Sequence, residues 1–283
     1  MTIYKDLTLD SIKIIKKNLI LFIPDLILLF STILISIIAL LVTGLLPKVL
    51  VNPSMIYDIT TAKDVLTGFF STSGNIIRTV VSLILFVVVL FFVGAGLMAV
   101  KYSMIKQILE KKKITFKGSS SLATNFFWRI IILKVYLFLI IAVPIFLVFL
   151  LISFLFYLSN TITITIGSIL GVLAVIFLVL TVLAFLFRYP ILILDNASPI
   201  KSLKNSLKFF KKNIKYVIMC EVLIIILTTL FGLLFNLPIN YLQTLFESIY
   251  IFLFLVILRR AIQIIPTLWT EIFIFLAYKK KIK

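Results

Sequence analysis

Three carboxylates lying in otherwise apolar runs, Asp25, Glu221 and Glu271, are the residues of this chain whose types and spacing could do chemistry. Asp25 falls seven residues after Asn18, Glu221 eight after Asn213, and Glu271 eight before Lys279. At about 1.5 Å of helix rise per residue, each would sit roughly 10–12 Å beyond one membrane interface. Lys134, five residues past Arg129, is shallower on the same side and could pair with one of them. A charge at such depth costs about 2–3 kcal/mol or more unless it is paired, protonated or hydrated. Asp25, Lys134, Glu221 and Glu271 therefore form a candidate intramembrane cluster able to hold a proton or a cation. The same residues admit a structural role, each carboxylate being neutralised by Lys134, by a snorkelling lysine or by a proton.

Other chemistry is harder to place. The 283 residues contain no histidine, which excludes His-based zinc sites and Ser-His triads. No P-loop, dinucleotide fingerprint or two-metal carboxylate cluster occurs in the connectors. The one cysteine, Cys220, rules out an internal disulfide. The expectation is a protein that is not an enzyme and uses no cofactor and no metal.

The elements that must position these residues follow from composition. Apolar residues make up 63% of the chain and charged ones 13%, the latter about half the usual share of a soluble domain, and the mean hydropathy is +1.26. These values predict an all-α, polytopic integral membrane protein. A net charge of +18 would suggest nucleic acid in a soluble protein. Here Lys and Arg sit in short connectors beside apolar runs, so no nucleic-acid partner is expected.

Six spans, paired into three hairpins of one membrane domain covering 1–283, are expected at about 19–46, 76–100, 130–158, 164–187, 216–235 and 261–278. The first run is too long for the h-region of a secretory signal, so none is expected. Pro24, Pro144 and Pro266 fall inside spans and should kink them. The stretch 47–74 reads as a mostly polar connector with Asn52-Pro53, Asp58 and Asp64, and Ser159-Asn160-Thr161 as a tight turn. Residues 240–260 are apolar but contain Gln243 and Glu247 and end at Arg259-Arg260. A seventh span there would put the terminal lysines on the outer side, against the positive-inside rule. This stretch therefore reads as an outer interfacial or re-entrant segment, or as an outer extension of the last helix.

Charge placement fixes the expected orientation. Four lysines precede the first span, eight basic residues lie between Lys101 and Lys134, seven between Arg188 and Lys215, and four at the end. These 23 of 28 would face the cytosol, leaving Lys48, Lys63, Arg78, Arg259 and Arg260 outside. The expected location is the plasma membrane, multi-pass, with both termini cytoplasmic.

Two segments should lie in the cytosolic interface. In 198–215, Ser198-Pro199 open a helix as N-cap and first-turn proline. Ile200, Leu203, Leu207, Phe210 and Ile214 then recur at helical spacing beside Lys201, Lys204, Lys208, Lys211 and Lys215, the pattern of a helix on an anionic membrane surface. Arg188, these five lysines and Lys212 are the candidate residues for binding anionic lipid headgroups or an acidic partner; they are equally readable as topology determinants alone. The other segment, 8–18, has Thr8 as its expected N-cap. The two share an echo, since Ser11-Ile-Lys13-Ile-Ile-Lys16-Lys17-Asn18 matches Ser206-Leu-Lys208-Phe-Phe-Lys211-Lys212-Asn213 in pattern. A weaker version at Leu122–Arg129 precedes the third span, so the chain reads as three units of amphipathic helix plus hairpin, or as shared composition.

The Arg188-Tyr189-Pro190 foot, Asp195-x-x-Ser198-Pro199 followed by Ser202 and Ser206, and the Tyr278-Lys279-Lys280 end resemble one family. It is the prokaryotic membrane domain that accompanies some glycerophosphodiester phosphodiesterases, with its stand-alone relatives. In fused members hydrolysis belongs to a separate soluble barrel with acidic and histidine residues. The resemblance therefore implies a six-span plasma-membrane fold and does not carry that activity over. The reading is a non-enzymatic membrane protein whose basic cytosolic face organises lipid or scaffolds a partner. The alternative is a small-solute or ion transporter using the intramembrane carboxylates.

Overall fold

Long runs of Leu, Ile, Val and Phe have one stable open-chain conformation in hydrocarbon, the α-helix, because each backbone N–H and C=O then finds its partner within the segment. The computed structural model describes residues 2–51, 59–157, 161–245 and 249–282, and among them there is no strand. Helix α1 is Thr2–Lys17, followed by a 3-10 turn at Leu19–Phe22 and α2 at Ile23–Thr43. Short helices α3 (Leu45–Val51) and α4 (Ile59–Phe70) lead to the long α5 (Ser73–Leu109), α6 (Phe116–Tyr157) and α7 (Thr161–Ala184). Then come α8 (Arg188–Leu194), α9 (Pro199–Lys212), α10 (Ile214–Leu245) and α11 (Ile249–Ile282).

Among the described residues, six segments are long and apolar enough to cross a bilayer: Leu19–Thr43, Ser73–Leu109, Phe116–Phe154, Thr165–Leu194, Ile214–Gln243 and Tyr250–Ile282. Only 6–17% of each most-apolar window is buried inside the protein, so most of this surface faces lipid. The chain is an all-α, six-span membrane protein.

Local differences from the expectations have identifiable causes. Thr8 caps nothing: α1 begins at Thr2, and the Thr8 hydroxyl donates instead to the Tyr4 carbonyl one turn back. Pro24 sits at the start of α2, where a missing N–H costs nothing, whereas Pro144 and Pro266 lie within α6 and α11. Part of the expected polar connector is helical, as α3 and α4; Asn52-Pro53 and Asp58 lie outside the described residues. So do Ser159, Asn160 and Glu247, while Thr161 opens α7. The weak third echo, Leu122–Arg129, is the early part of α6 and not a separate amphipathic helix. Residues 240–245 finish α10, and 249–260 are the first turns of an unbroken α11, an extension of the last helix and not a separate segment.

Two compact units divide the chain. One comprises Ile15–Lys101 and Leu227–Trp269. Within it α2 ends at Gly44, whose φ of +79° is the left-handed cap conformation that glycine alone adopts without cost. The Asn75 amide donates to the Phe69 carbonyl at 2.9 Å, tying α4 to the start of α5.

The other unit comprises Met1–Ile14, Tyr102–Ile226 and Thr270–Lys283. In it α9 packs against α6, α7 and α8. Ser198 occupies the N-cap with extended backbone, yet its hydroxyl makes no capping bond; the Ser202 N–H bonds its carbonyl. The face turned inward is not the Ile200–Leu207 stripe. Ser202, Leu203 and Ser206 are buried, and the two hydroxyls donate to the carbonyls of Arg188 and Ala184. Ala184 ends α7, so Ser206 satisfies one of the orphan carbonyls of that helix. At about 100° per residue, Lys204, Lys208 and Lys211 fall opposite the serines, and Ile200 and Leu207 form an exposed apolar edge between the two faces.

The echo extends to structure. Ser11 and Ser206 are 0% and 1% exposed, and Ile12 and Leu207 are each 38% exposed. Both segments break at their asparagines, at φ −134°, ψ 64° for Asn18 and φ −132°, ψ 39° for Asn213. The Ser206→Ala variant leaves the buried Ala184 carbonyl without that donor, and a loss of about 1–3 kcal/mol is expected. It would be read as a lower thermal midpoint in detergent together with faster amide exchange across α9, and Leu207→Ala would show neither change in exchange.

Candidate functional site

Cross-linking of α9 to its neighbours places the lysines. Lys201, Lys204, Lys208, Lys211, Lys212 and Lys215 are all exposed. An open groove of about 540 Å³ gathers Lys211, Lys212 and Lys215 with Lys281, around Tyr4 and Tyr216. The two tyrosine rings stack at 5.8 Å, and Lys281 Nζ lies 5.3 Å from the Tyr216 ring centre. Beneath it Phe187, 1% exposed, meets Phe209 at 4.9 Å and Tyr278 at 6.0 Å between ring centres. Three more donors pin this end of the unit. Tyr216 Oη donates to the Ala277 carbonyl at 2.9 Å, and Tyr278 Oη donates to Asp195 Oδ2 at 2.6 Å. Lys279 Nζ donates to the Leu109 carbonyl, the last of α5, where a cation also meets the negative helix end. The lysine face is thus carried on a rigid, aromatic-packed base.

Arg188, grouped with these lysines from the sequence, is the first residue of α8. It is half-buried, its Nη1 donates to the Phe185 carbonyl at 2.8 Å, and its Cζ lies 4.7 Å over the Tyr189 ring. Tyr102 is buried, packs its ring on Tyr189 at 5.1 Å and on Phe275 at 5.2 Å, and donates its hydroxyl to Glu271 Oε1 at 3.3 Å. Arg188, Tyr189, Tyr102 and Glu271 thus form one chain of contacts, while Glu221 is half-buried on α10.

Asp25 belongs to the other unit. Its partner is Lys101: Lys101 Nζ lies 2.7 Å from Asp25 Oδ1, with the two side chains 5% and 12% exposed. The second carboxylate oxygen, Oδ2, is buried without a hydrogen-bond partner. Lys134 is half-buried on α6.

Lys101 and Tyr102, which as sequence open a basic connector, have site contacts that the spacing does not predict. The available signal was position: they follow the second apolar run directly, and α5 continues unbroken through them to Leu109. A lysine directly after an apolar run can be drawn into it when a carboxylate waits there.

Comparison of the chain with models of known families, with curated proteins and with solved structures finds no match. The geometry of the buried pair yields a test of its own. Lys101→Met should destabilise by about 3–5 kcal/mol, because it takes the cation from the buried Asp25 carboxylate, whereas Asp25→Leu with Lys101→Met should recover most of the loss. Denaturation of all the variants in one detergent gives the coupling; additive losses would show that the two groups do not act as a pair.

Proposed function

We propose that the protein is a non-enzymatic, multi-pass plasma-membrane protein, both termini cytoplasmic, that gathers anionic lipid headgroups or an acidic partner on its lysine face in a lipid-organising or scaffolding role. The observation that carries this reading is the three-sided α9: lysines out, serines in, and an apolar Ile200–Leu207 edge beside the charges. A helix held by the protein at its serine face presents cations at a fixed height next to an edge suited to hydrocarbon. Each cation near an anionic surface contributes about 1 kcal/mol. Kinship with the membrane domain that accompanies glycerophosphodiester phosphodiesterases belongs to the same proposal and supplies fold and location only.

The transporter reading draws on one observation, the buried Asp25 Oδ2 without a hydrogen-bond partner beside Lys101. Proteoliposomes loaded with a pH-sensitive dye test it. Proton or cation flux that disappears in Asp25→Asn and in Glu271→Gln would replace the scaffolding reading, and absence of flux in the wild type removes transport.

For the lysine face, the full chain is placed in nanodiscs of mixed phosphatidylglycerol and phosphatidylcholine, and the lipids retained on extraction are quantified by mass spectrometry. The wild type should enrich phosphatidylglycerol, less so as salt rises. Changing Lys201, Lys204, Lys208, Lys211 and Lys215 to Gln should lower that enrichment about tenfold or more. Equal enrichment in the two proteins would count decisively against the proposal.

A further inference from the structure

The reversal between α5 and α6 is built on a lysine in a conformation usually left to glycine. Lys111 has φ +59°, its N–H donates to the Ile108 carbonyl, and the Lys112 N–H reaches back to the Gln107 carbonyl, both at 2.9 Å. This pair of bonds is the Schellman helix end. It folds Lys112 and Lys113 back beside the last turns of α5, where a cavity of about 500 Å³ opens toward α6. Lys106 and Arg129 complete its basic lining, and Leu122 and Phe126 give it an apolar wall.

Two of these cations are held in place. Lys106 Nζ lies 5.3 Å over the Phe126 ring, and Arg129 Nη1 donates to Asn196 Oδ1 at 2.6 Å. Asn196 itself has φ +51°, a left-handed residue at the cavity wall. At the inner end lies Ser103, 1% exposed, whose Oγ has no hydrogen-bond partner. A buried hydroxyl left unbonded at the bottom of a basic cavity costs free energy until an acceptor enters. The lining carboxylate, Glu110, pairs with Lys112 at 2.7 Å, so four cations face one anion.

We propose that this cavity binds a phosphate monoester. The excess of positive charge suits a group carrying about −1.5 to −2 at neutral pH better than a singly charged diester. Arg129 supplies planar donors, Lys106 and Lys113 supply point charges, and Ser103 with Asn125 supply neutral donors for the remaining oxygens. The volume is in the range of small-ligand sites and admits a glycerol as well as the phosphate, its carbons against Leu122 and Phe126. The source is a lipid headgroup or a soluble phosphate ester, and the two share this chemistry. None of the α9 lysines contributes, so the site stands or falls apart from the lysine face.

Isothermal titration of the full chain in detergent, with inorganic phosphate, glycerol 3-phosphate and dihexanoyl phosphatidate as the three probes, decides the matter. The wild type should bind at least one of them. Arg129→Gln and Lys113→Gln should each weaken that binding about tenfold, and Ser103→Ala several-fold. Binding of phosphatidate without either soluble probe assigns the site to a lipid; binding of glycerol 3-phosphate assigns it to a soluble ester. Lys113 is exposed, so its variant carries the test if Arg129→Gln lowers the helical signal in circular dichroism. The variant with Lys201, Lys204, Lys208, Lys211 and Lys215 changed to Gln should bind as the wild type does. Failure of all three probes, or unchanged binding in Lys113→Gln, overturns the proposal.

Discussion

Each α-helix leaves its last carbonyls without partners, and in hydrocarbon no water is there to take them. In the unit built from 1–14, 102–226 and 270–283, that constraint organises everything else. Ser206 serves the Ala184 carbonyl, Arg188 serves Phe185, and Lys279 serves Leu109. Ser206 and Lys279 come from helices other than those whose carbonyls they meet, and Arg188 opens the helix that follows Phe185. The side chains that close the helix ends therefore also fasten the helices together, and the lysine face and the basic cavity are both by-products of that fastening.

Much of the fold could be read from the residues alone, because a run of twenty apolar residues has so few alternatives. The six spans, the two amphipathic segments and the helix start at Ser198-Pro199 all follow from hydrophobic length, period and local chemistry. Rotation about a helix axis was much less legible. The spacing of Ile200, Leu203 and Leu207 suggested one apolar face, yet the inward side is Ser202, Leu203 and Ser206. Small hydroxyls won that side because they can approach carbonyls that Ile and Leu cannot satisfy. Pairing across long separations was equally hidden: depth arithmetic set Asp25 at a given level without naming its partner, and the side chain that reaches it is Lys101, 76 residues away.

The basic connector shows a third kind of gap. As a sequence, Lys111-Lys112-Lys113 is a charge run beside an apolar span, and its bland meaning is orientation in the membrane. Nothing local announces that Lys111 takes a left-handed conformation, since a lysine there is disfavoured by about 1–2 kcal/mol relative to the usual helical region. The reversal is what turns a charge run into the rim of a cavity. The internal echo has the opposite character. Matching Ser, Lys and Asn at 11–18 and 206–213 carry over into matching burial and matching breaks at Asn18 and Asn213. The same short pattern was thus enough to specify both the face that docks and the point where the helix stops.

The three-sided cross-section of α9 also bears on how the segment can be studied. A synthetic fragment covering Pro199–Lys212 has no Arg188 or Ala184 carbonyl for its serines to meet. On a vesicle it would roll until Leu203 joined Ile200 and Leu207 against the acyl chains, pulling the serines to the water boundary. Such a peptide would report the affinity of a surface that the intact chain never offers.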